Sequence, residues 1–432
     1  MVESYWKDDF RNRKIISEFI KDGTLGKKRL ASMPDRVTNT IHVDVDGDDE
    51  PVCRPTVINQ YAGDLSSLDK WWADWQQFMF VRPLKIRGEE KIPYTMLKTI
   101  SKAKYPAISE QEEKDSLPLQ TMCAAIFDAI LVHMMNTVSP PETWQRIKKT
   151  LVESLNKKKN AMTLQILEAE YIGADIITLQ EVAQSFIGKA KSSTLGEKFH
   201  IVVPGNMDPT RDQNSVVCLN KEIFPGGAEK EVDVSNAFPK DQKKPIDKGD
   251  DLLAVTATTS DGLPMLVASF HGDTNGMVTK PVLAAVVKTM RSDAELVRHK
   301  LLFGLDANVY EHANSDQQSV VDWGKHYQKY GLLSCWGDTP NPSNHATYNA
   351  RTYLQPQLNK ASRKDELKQK GDVNPKDFIL FDKSDFKVLT TWKDNTGDKK
   401  YLEETTFPTL EFPSDHGLLS TNIEPLEPKA RN

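Results

Sequence analysis

Six stretches of the 432-residue chain set a chemically competent polar residue directly against an apolar run. Asn59 closes the run TVIN. ADIITL leads into Gln180-Glu181, MLVASF into His271-Gly272-Asp273, and LLFGL into Asp306-Ala307-Asn308. DFIL begins at Asp377, and Ser414-Asp415-His416 stands just before LLSTNI. A carboxylate or imidazole abutting buried chain is costly unless it is paired or bound to a cation. A series of such residues at successive strand ends therefore points to one shared site along a sheet edge. The set is rich in carboxylates, has two imidazoles and holds no activated serine or cysteine. Glu, Asp and Asn oxygens are hard ligands that suit magnesium or manganese. An Asp beside an Asn can take a proton from water while the amide holds a substrate oxygen, and a His can stabilise negative charge or protonate a leaving group. The reaction that suits this set is metal-assisted attack of water on a phosphate ester.

The elements that must carry these residues follow from periodicity. From residue 174 the pattern is βα-like and strand-rich, with strands expected at 174–179, 200–203, 215–219, 252–258, 265–271, 301–305, 377–381 and 418–423. Upstream, the sequence predicts a helix over 8–21, strands over 38–45 and 54–61, and helices over 66–80, 119–138, 141–156 and 161–171. The helix over 66–80 carries Leu68, Trp71, Trp72, Trp75 and Met79 at helical spacing. Three tryptophans could stack sugars or bases, but a stripe at this spacing is expected to pack into a core. Residues 225–250 and 355–376 read as polar loops, the second rich in basic residues that include Lys376.

Composition narrows the classes. With 38% hydrophobic and 27% charged residues, the chain is neither disordered nor membrane-spanning in character. Lys+Arg is 56 against 61 Asp+Glu, a net charge of -5 that argues against non-specific coating of nucleic acid. Cys53, Cys123, Cys218 and Cys335 are scattered without a CxxC pair, which excludes a structural zinc site or disulfide scaffold and leaves buried thiols as the expectation. The charged start, MVESYWKDDFRNRKIISEF, shows no signal peptide, so an intracellular setting is favoured. The most apolar stretch, 121–138, carries Asp128 and His133 and reads as a buried helix, leaving no transmembrane segment.

Taken in order, VIN at 57–59, LQEV at 179–182, SFH at 269–271, GLDAN at 304–308, DFIL at 377–380 and PSDHGLL at 413–419 resemble the endonuclease/exonuclease/phosphatase superfamily, the deoxyribonuclease-I-like proteins. Each piece alone is common; the ordered series, spanning about 52–424, carries the resemblance. The resemblance implies an α/β fold, a four-layer α/β sandwich of two packed mixed sheets with outer helices and the site at one edge. It implies Glu181 as the principal metal ligand, with Asn59 beside it and Asp415 approaching the metal or fixing its neighbour. Asp306 would deprotonate the attacking water, and Asn308 would hold a non-bridging phosphate oxygen. His271 would stabilise charge or assist the leaving group, His416 would contact the scissile phosphate, and Asp377 would orient a histidine. The implied cofactor is Mg2+, with Mn2+ or Ca2+ as alternatives.

The chain departs from the family in three places. Asn59 and Glu181 are unusually far apart, which a helical insertion over about 65–150 explains, within a catalytic domain of 51–432 preceded by an extension of 1–50. Gly-Asp-Thr-Asn-Gly follows His271, read as a tight turn with Asp273 and Asn275 as candidate contacts. Leu305 interrupts the usual Gly-Asp, leaving the Asp-x-Asn core intact. Arg351, in TYNAR, is a candidate phosphate clamp. The expected activity is a divalent-metal-dependent phosphatase or phosphodiesterase. Its phosphate-ester substrate is expected to be a small molecule rather than nucleic acid, because the net charge gives no hint of a basic groove and the lysine-rich loop over 355–376 is the one candidate surface. A DNA or RNA nuclease and an inactive binding module on the same fold are the alternatives. Protein partners are not indicated.

Overall fold

The computed structural model describes residues 64–86, 88–154, 158–207, 213–238, 251–337, 340, 345–350 and 372–426, with the backbone of 42–43 and 52–53. The expected helix over 8–21, the expected strand over 54–61, Asn59 and Arg351 lie outside the described residues. The described residues fall into two compact units, the first ending at Lys158 and the second beginning at Lys159.

In the first unit, β1 (His42–Val43) pairs antiparallel with β2 (Val52–Cys53). Helix α1 (Leu68–Phe80) starts where Ser67 Oγ accepts the Lys70 N–H, an ordinary N-cap. It is followed by the hairpin of β3 (Leu84–Ile86) and β4 (Glu89–Lys91), then α2 (Glu110–Lys114), α3 (Ser116–Val138) and α4 (Pro141–Val152). The tryptophan stripe of α1 turns inward: Trp71, Trp72 and Trp75 are buried with Ala125, Ile126 and Ala129 of α3 and Trp144 of α4. Trp72 and Trp75 stack at 5.3 Å. The indole N–H of Trp75 donates to Asp128 at 3.1 Å, which accounts for a carboxylate inside an apolar helix. Among the described residues no helix is long and apolar enough to cross a membrane.

The second unit is an α/β sandwich. Its helices are α5 (Lys159–Glu170), α6 (Gln184–Lys191), α7 (Thr194–Lys198), α8 (Thr279–Ser292) and α9 (Val320–Lys329). One sheet runs β5 (Ile176–Val182), β7 (Asn214–Asn220), β6 (Phe199–Val202). The other holds six strands: β8 (Lys230–Glu231), β9 (Leu252–Thr258), β10 (Pro264–His271), β11 (Lys300–Asp306), β12 (Leu332–Ser334) and β15 (Asp377–Asp382), in the order β12-β15-β11-β10-β9-β8. Only β10 and β11 pair in parallel within it, joined by a crossover through α8; the rest are antiparallel. Two hairpins complete the unit, β13 (Tyr348–Ala350) with β14 (Asp372–Asn374), and β16 (Phe386–Asp394) with β17 (Leu418–Pro425).

Alternation along the strands builds the layers. Val217 and Leu219 of β7, Val255 of β9, Val267 of β10 and Phe381 of β15 meet between the sheets. The opposite faces of β10 and β11, through Leu266, Leu301 and Phe303, pack under α8 and α9. Phe199, Val216 and Cys218 pack under α5, α6 and α7. The result is four layers, helix, sheet, sheet, helix. Gly304 of β11 faces Thr178 of β5 at close range: a Cβ there would lie 2.0 Å from Thr178 Oγ1, so with that threonine in place only glycine fits. Of the loop expected over 355–376, residues 355–371 lie outside the described residues; at its end Asp372–Asn374 forms β14 and Lys376 is buried at 6% exposure.

Candidate active site

The ladder fixes three of the candidate residues side by side. His271 ends β10 and pairs with Asp306 at the end of β11, and Asp306 pairs in turn with Asp377 at the start of β15. His416 reaches the same edge through a bridge to Tyr348 of β13. Beyond the paired ends, Gly272 N–H donates to Asp306 O at 2.8 Å and Ala307 N–H to Lys376 O at 2.7 Å, so the turns leaving the strands stay aligned.

Asp306 is 4% exposed. Its Oδ1 accepts the Asn308 N–H at 2.8 Å, an Asx turn that holds Asn308 at a left-handed φ of 49°. Its Oδ2 lies 3.7 Å from His271 Nε2 and 3.6 Å from His416 Nε2. These are ion-pair separations beyond hydrogen-bond length, so Oδ2 keeps its capacity to accept a proton. Burial pushes the Asp306 carboxyl above its ordinary range; His416 opposes the rise and Asp377 adds to it.

His416 Nδ1 is 2.9 Å from Asp377 Oδ2, and the same carboxylate accepts the Thr347 hydroxyl. Thr347 Oγ1 also takes the Asp377 N–H at 3.1 Å. This arrangement directs Nε2 toward Asp306. Burial alone would lower the His416 pKa, but Asp377 and Asp306 outweigh it and push it up to about 10. Asp306, Asp377 and His416 each offer a ligand atom, and these atoms lie within 4.8 Å of one another, close enough to hold a cation.

Glu181 comes from β5, where the register with β7 slips between Leu179 and Val182. It sits at φ 55°, a left-handed conformation that costs a non-glycine residue about 1–3 kcal/mol and concentrates at functional positions. Its half-exposed carboxylate puts Oε1 3.3 Å from His271 Nε2. Gln180 Nε2 donates to Ser269 Oγ at 3.0 Å, and Ser269 Oγ donates to Leu179 O at 3.0 Å, which ties β5 to β10 two residues before Glu181 and His271. One imidazole thus faces two carboxylates, Glu181 and Asp306. Asp415 is exposed beside His416. Surrounding protein opposes its ionisation, but His416 and Lys159 outweigh that and hold its carboxyl below the ordinary range.

Asn308 uses both ends of its amide. Nδ2 donates to Gly272 O at 3.0 Å and Oδ1 accepts from Lys376 Nζ at 2.8 Å. After His271, Asp273 accepts the N–H groups of Asn275 and Val278, and Gly276 at φ 69° closes against Asn308. This is a tight turn, with Asp273 engaged in its own loop. Lys376 is a member of the site that the residue pattern does not announce. Its only sequence signal is a lysine immediately before the strand DFIL.

The model of a domain of unknown function, DUF8234, matches residues 1–149. No curated protein matches the chain. Among solved structures, the chain is similar to the human Nocturnin catalytic domain with bound sulfate anion, at 14% identity and TM-score 0.42, covering 64% of this chain and 89% of that one. It is similar to D. rerio TDP2 complexed with single strand DNA product, at 14% identity and TM-score 0.41, covering 62% and 92%. It is also similar to an endonuclease/exonuclease/phosphatase family protein from Bacteroides thetaiotaomicron, at 15% identity and TM-score 0.40, covering 62% and 88%.

Proposed function

We propose that the chain is a divalent-metal-dependent phosphoesterase in which Asp306 accepts the proton of an attacking water. The observation that carries this reading is the convergence of Glu181, from one sheet, with His271, Asp306 and Asp377, from the other, and with His416, the middle three in a single cross-strand register. The donor set fits a hard cation: Glu181 is a half-exposed carboxylate held in a strained bulge, and the imidazole it meets also faces the Asp306 carboxylate. Glu181 would hold the ion, with Asp415 near the rim and Asn59 as a further candidate. Magnesium is the first choice, with manganese or calcium next. When bound, such a cation supplies Lewis-acid polarisation of a phosphoryl oxygen.

The chain's own residues then divide the work. Asp306 Oδ2 takes a proton as the water oxygen bonds to phosphorus, and burial of that carboxyl strengthens it as a base. His416, kept charged by Asp377, offers its Nε2–H to a non-bridging oxygen. The second Nδ2 hydrogen of Asn308 does the same. His271, between Glu181 and Asp306, meets the charge that builds on the leaving oxygen as the P–O bond breaks. No enzyme-bound phosphoryl group is involved.

A small phosphate ester is the favoured substrate and nucleic acid the alternative, since the net charge of -5 gives no general pull on a polyanion. The test is turnover of a nitrophenyl monoester, a bis-nitrophenyl diester, plasmid DNA and RNA, with and without a chelator. Glu181→Gln and Asp306→Ala are each expected to lower kcat by about 10³-fold or more. Undiminished turnover in either variant, or indifference to the chelator, would sink the reading.

A further inference from the structure

Lys376 is a lysine buried to 6% exposure, and burying an ammonium is costly unless its hydrogens and its charge are met. Nζ donates to Asn308 Oδ1 at 2.8 Å and lies 4.1 Å from the centre of the Tyr348 ring and 5.2 Å from that of Tyr310. Aromatic faces attract a desolvated cation and so hold the stem in place. The main chain is fixed equally well: its N–H donates to Thr347 Oγ1 at 3.2 Å, and its carbonyl accepts the Ala307 N–H at 2.7 Å. Lys376 is therefore bound at once to the turn that carries Asn308, to the segment that carries Thr347, and by chain continuity to Asp377.

An ammonium can only donate, so the Asn308 amide must turn its oxygen toward Lys376. A backbone carbonyl can only accept, so Gly272 O fixes the nitrogen on the other side, at 3.0 Å. With both ends determined, the amide has one orientation and one Nδ2 hydrogen in hand. The adjacent positive charge also polarises the amide and strengthens that hydrogen as a donor. We propose that Lys376 is a positioning residue that locks the Asn308 amide so that its second N–H meets a non-bridging oxygen of the substrate. The proposal rests on the phosphoesterase reading, and acts through Asn308 rather than on the substrate itself.

The test reads two quantities on the full chain. The first is the Asn308 side-chain amide resonance under asparagine-selective isotope labelling, assigned through Asn308→Asp. Lys376→Met keeps the stem and removes the ammonium, and is expected to shift or broaden that resonance. An unchanged resonance in folded Lys376→Met protein overturns the proposal. The second is a double-mutant cycle in kcat on a bis-nitrophenyl diester with magnesium. Lys376→Met is expected to lower kcat by about 10–100-fold with little change in KM, and by less than about twofold once Asn308 is alanine. Losses that simply add overturn the proposal even if the wild-type chain is an active phosphoesterase. Absence of wild-type turnover on every ester sinks the phosphoesterase reading and, with it, the contact to substrate; the resonance then decides the amide lock alone. Should Lys376→Met not fold, Lys376→Arg decides: it should keep kcat within about tenfold because the guanidinium also donates and carries charge. A loss as deep as that of Asn308→Ala overturns the proposal.

Discussion

At the scale of single residues, the site depends on which atoms are already committed. Asp377 spends Oδ2 on both Thr347 and His416, so its task is to hold an imidazole. Asp377→Asn should lose that hold and the charge that keeps His416 protonated. The expected result is a fall in kcat of about 10²-fold or more, with KM little changed and folding intact. Steady-state kinetics on a nitrophenyl ester will decide; a kcat within a few-fold of wild type would make the His416–Asp377 pair dispensable. The same scale explains what sequence reading can and cannot reach. Glu181, His271, Asp306, Asp377 and His416 stand out because each interrupts or ends an apolar run. Lys376 does not, because its burial depends on Tyr310, Tyr348 and Asn308, which only the folded sheet edge brings to it.

At the scale of elements, two joints can be tested. Gly304 lets β11 approach β5 at Thr178, three residues before Glu181. Gly304→Ala is expected to cost about 1–3 kcal/mol, measured by urea unfolding, and to be partly restored by Thr178→Ala. Failure of the second substitution to restore anything would remove the close approach as the cause. The other joint is Asp394 at the end of β16. Its carboxylate accepts the N–H groups of Thr396 and Gly397 at 2.8 Å each, the Lys399 N–H at 3.0 Å and the Tyr171 hydroxyl at 2.8 Å. Burial pushes its pKa up, but these donors prevail and hold it below the ordinary range. A depressed folded-state pKa contributes stability that is present above the unfolded value of about 3.9 and fades as pH falls through the folded value. Asp394→Asn should thus cost about 2–3 kcal/mol at neutral pH, and that difference should shrink as the pH is lowered below about 4. A difference that is constant with pH would refute the charged network.

Most of the strands follow the sequence reading to within two residues, since alternation and end residues mark them. The helices α8 and α9 and the strand β16 do not enter it, whereas β17 does. For α8 the signal was there: Val282, Leu283, Val286, Val287 and Met290 recur at helical spacing and are all buried. β16 gave less, because a partly exposed strand with polar residues on both faces blurs the alternation.

At the scale of the whole molecule, each unit has a core of its own. Trp71, Trp75 and Trp144 centre one, and none of the inter-sheet residues belongs to it. Trp75→Ala should cost the first unit about 3–5 kcal/mol, leave Asp128 without its indole donor, and expose residues before Lys158 to limited proteolysis. Cleavage mapped equally to the second unit would contradict separate cores. Within the second unit, the register of β10, β11 and β15 means that the spacing of the reacting groups is measured across strands, at the fixed step of a hydrogen-bonded ladder, and not along the chain. Evolution can therefore lengthen the connections between those strands at will without detuning the chemistry, whereas deleting one residue inside β11 would rotate Asp306 to the far side of the sheet and silence it at a stroke.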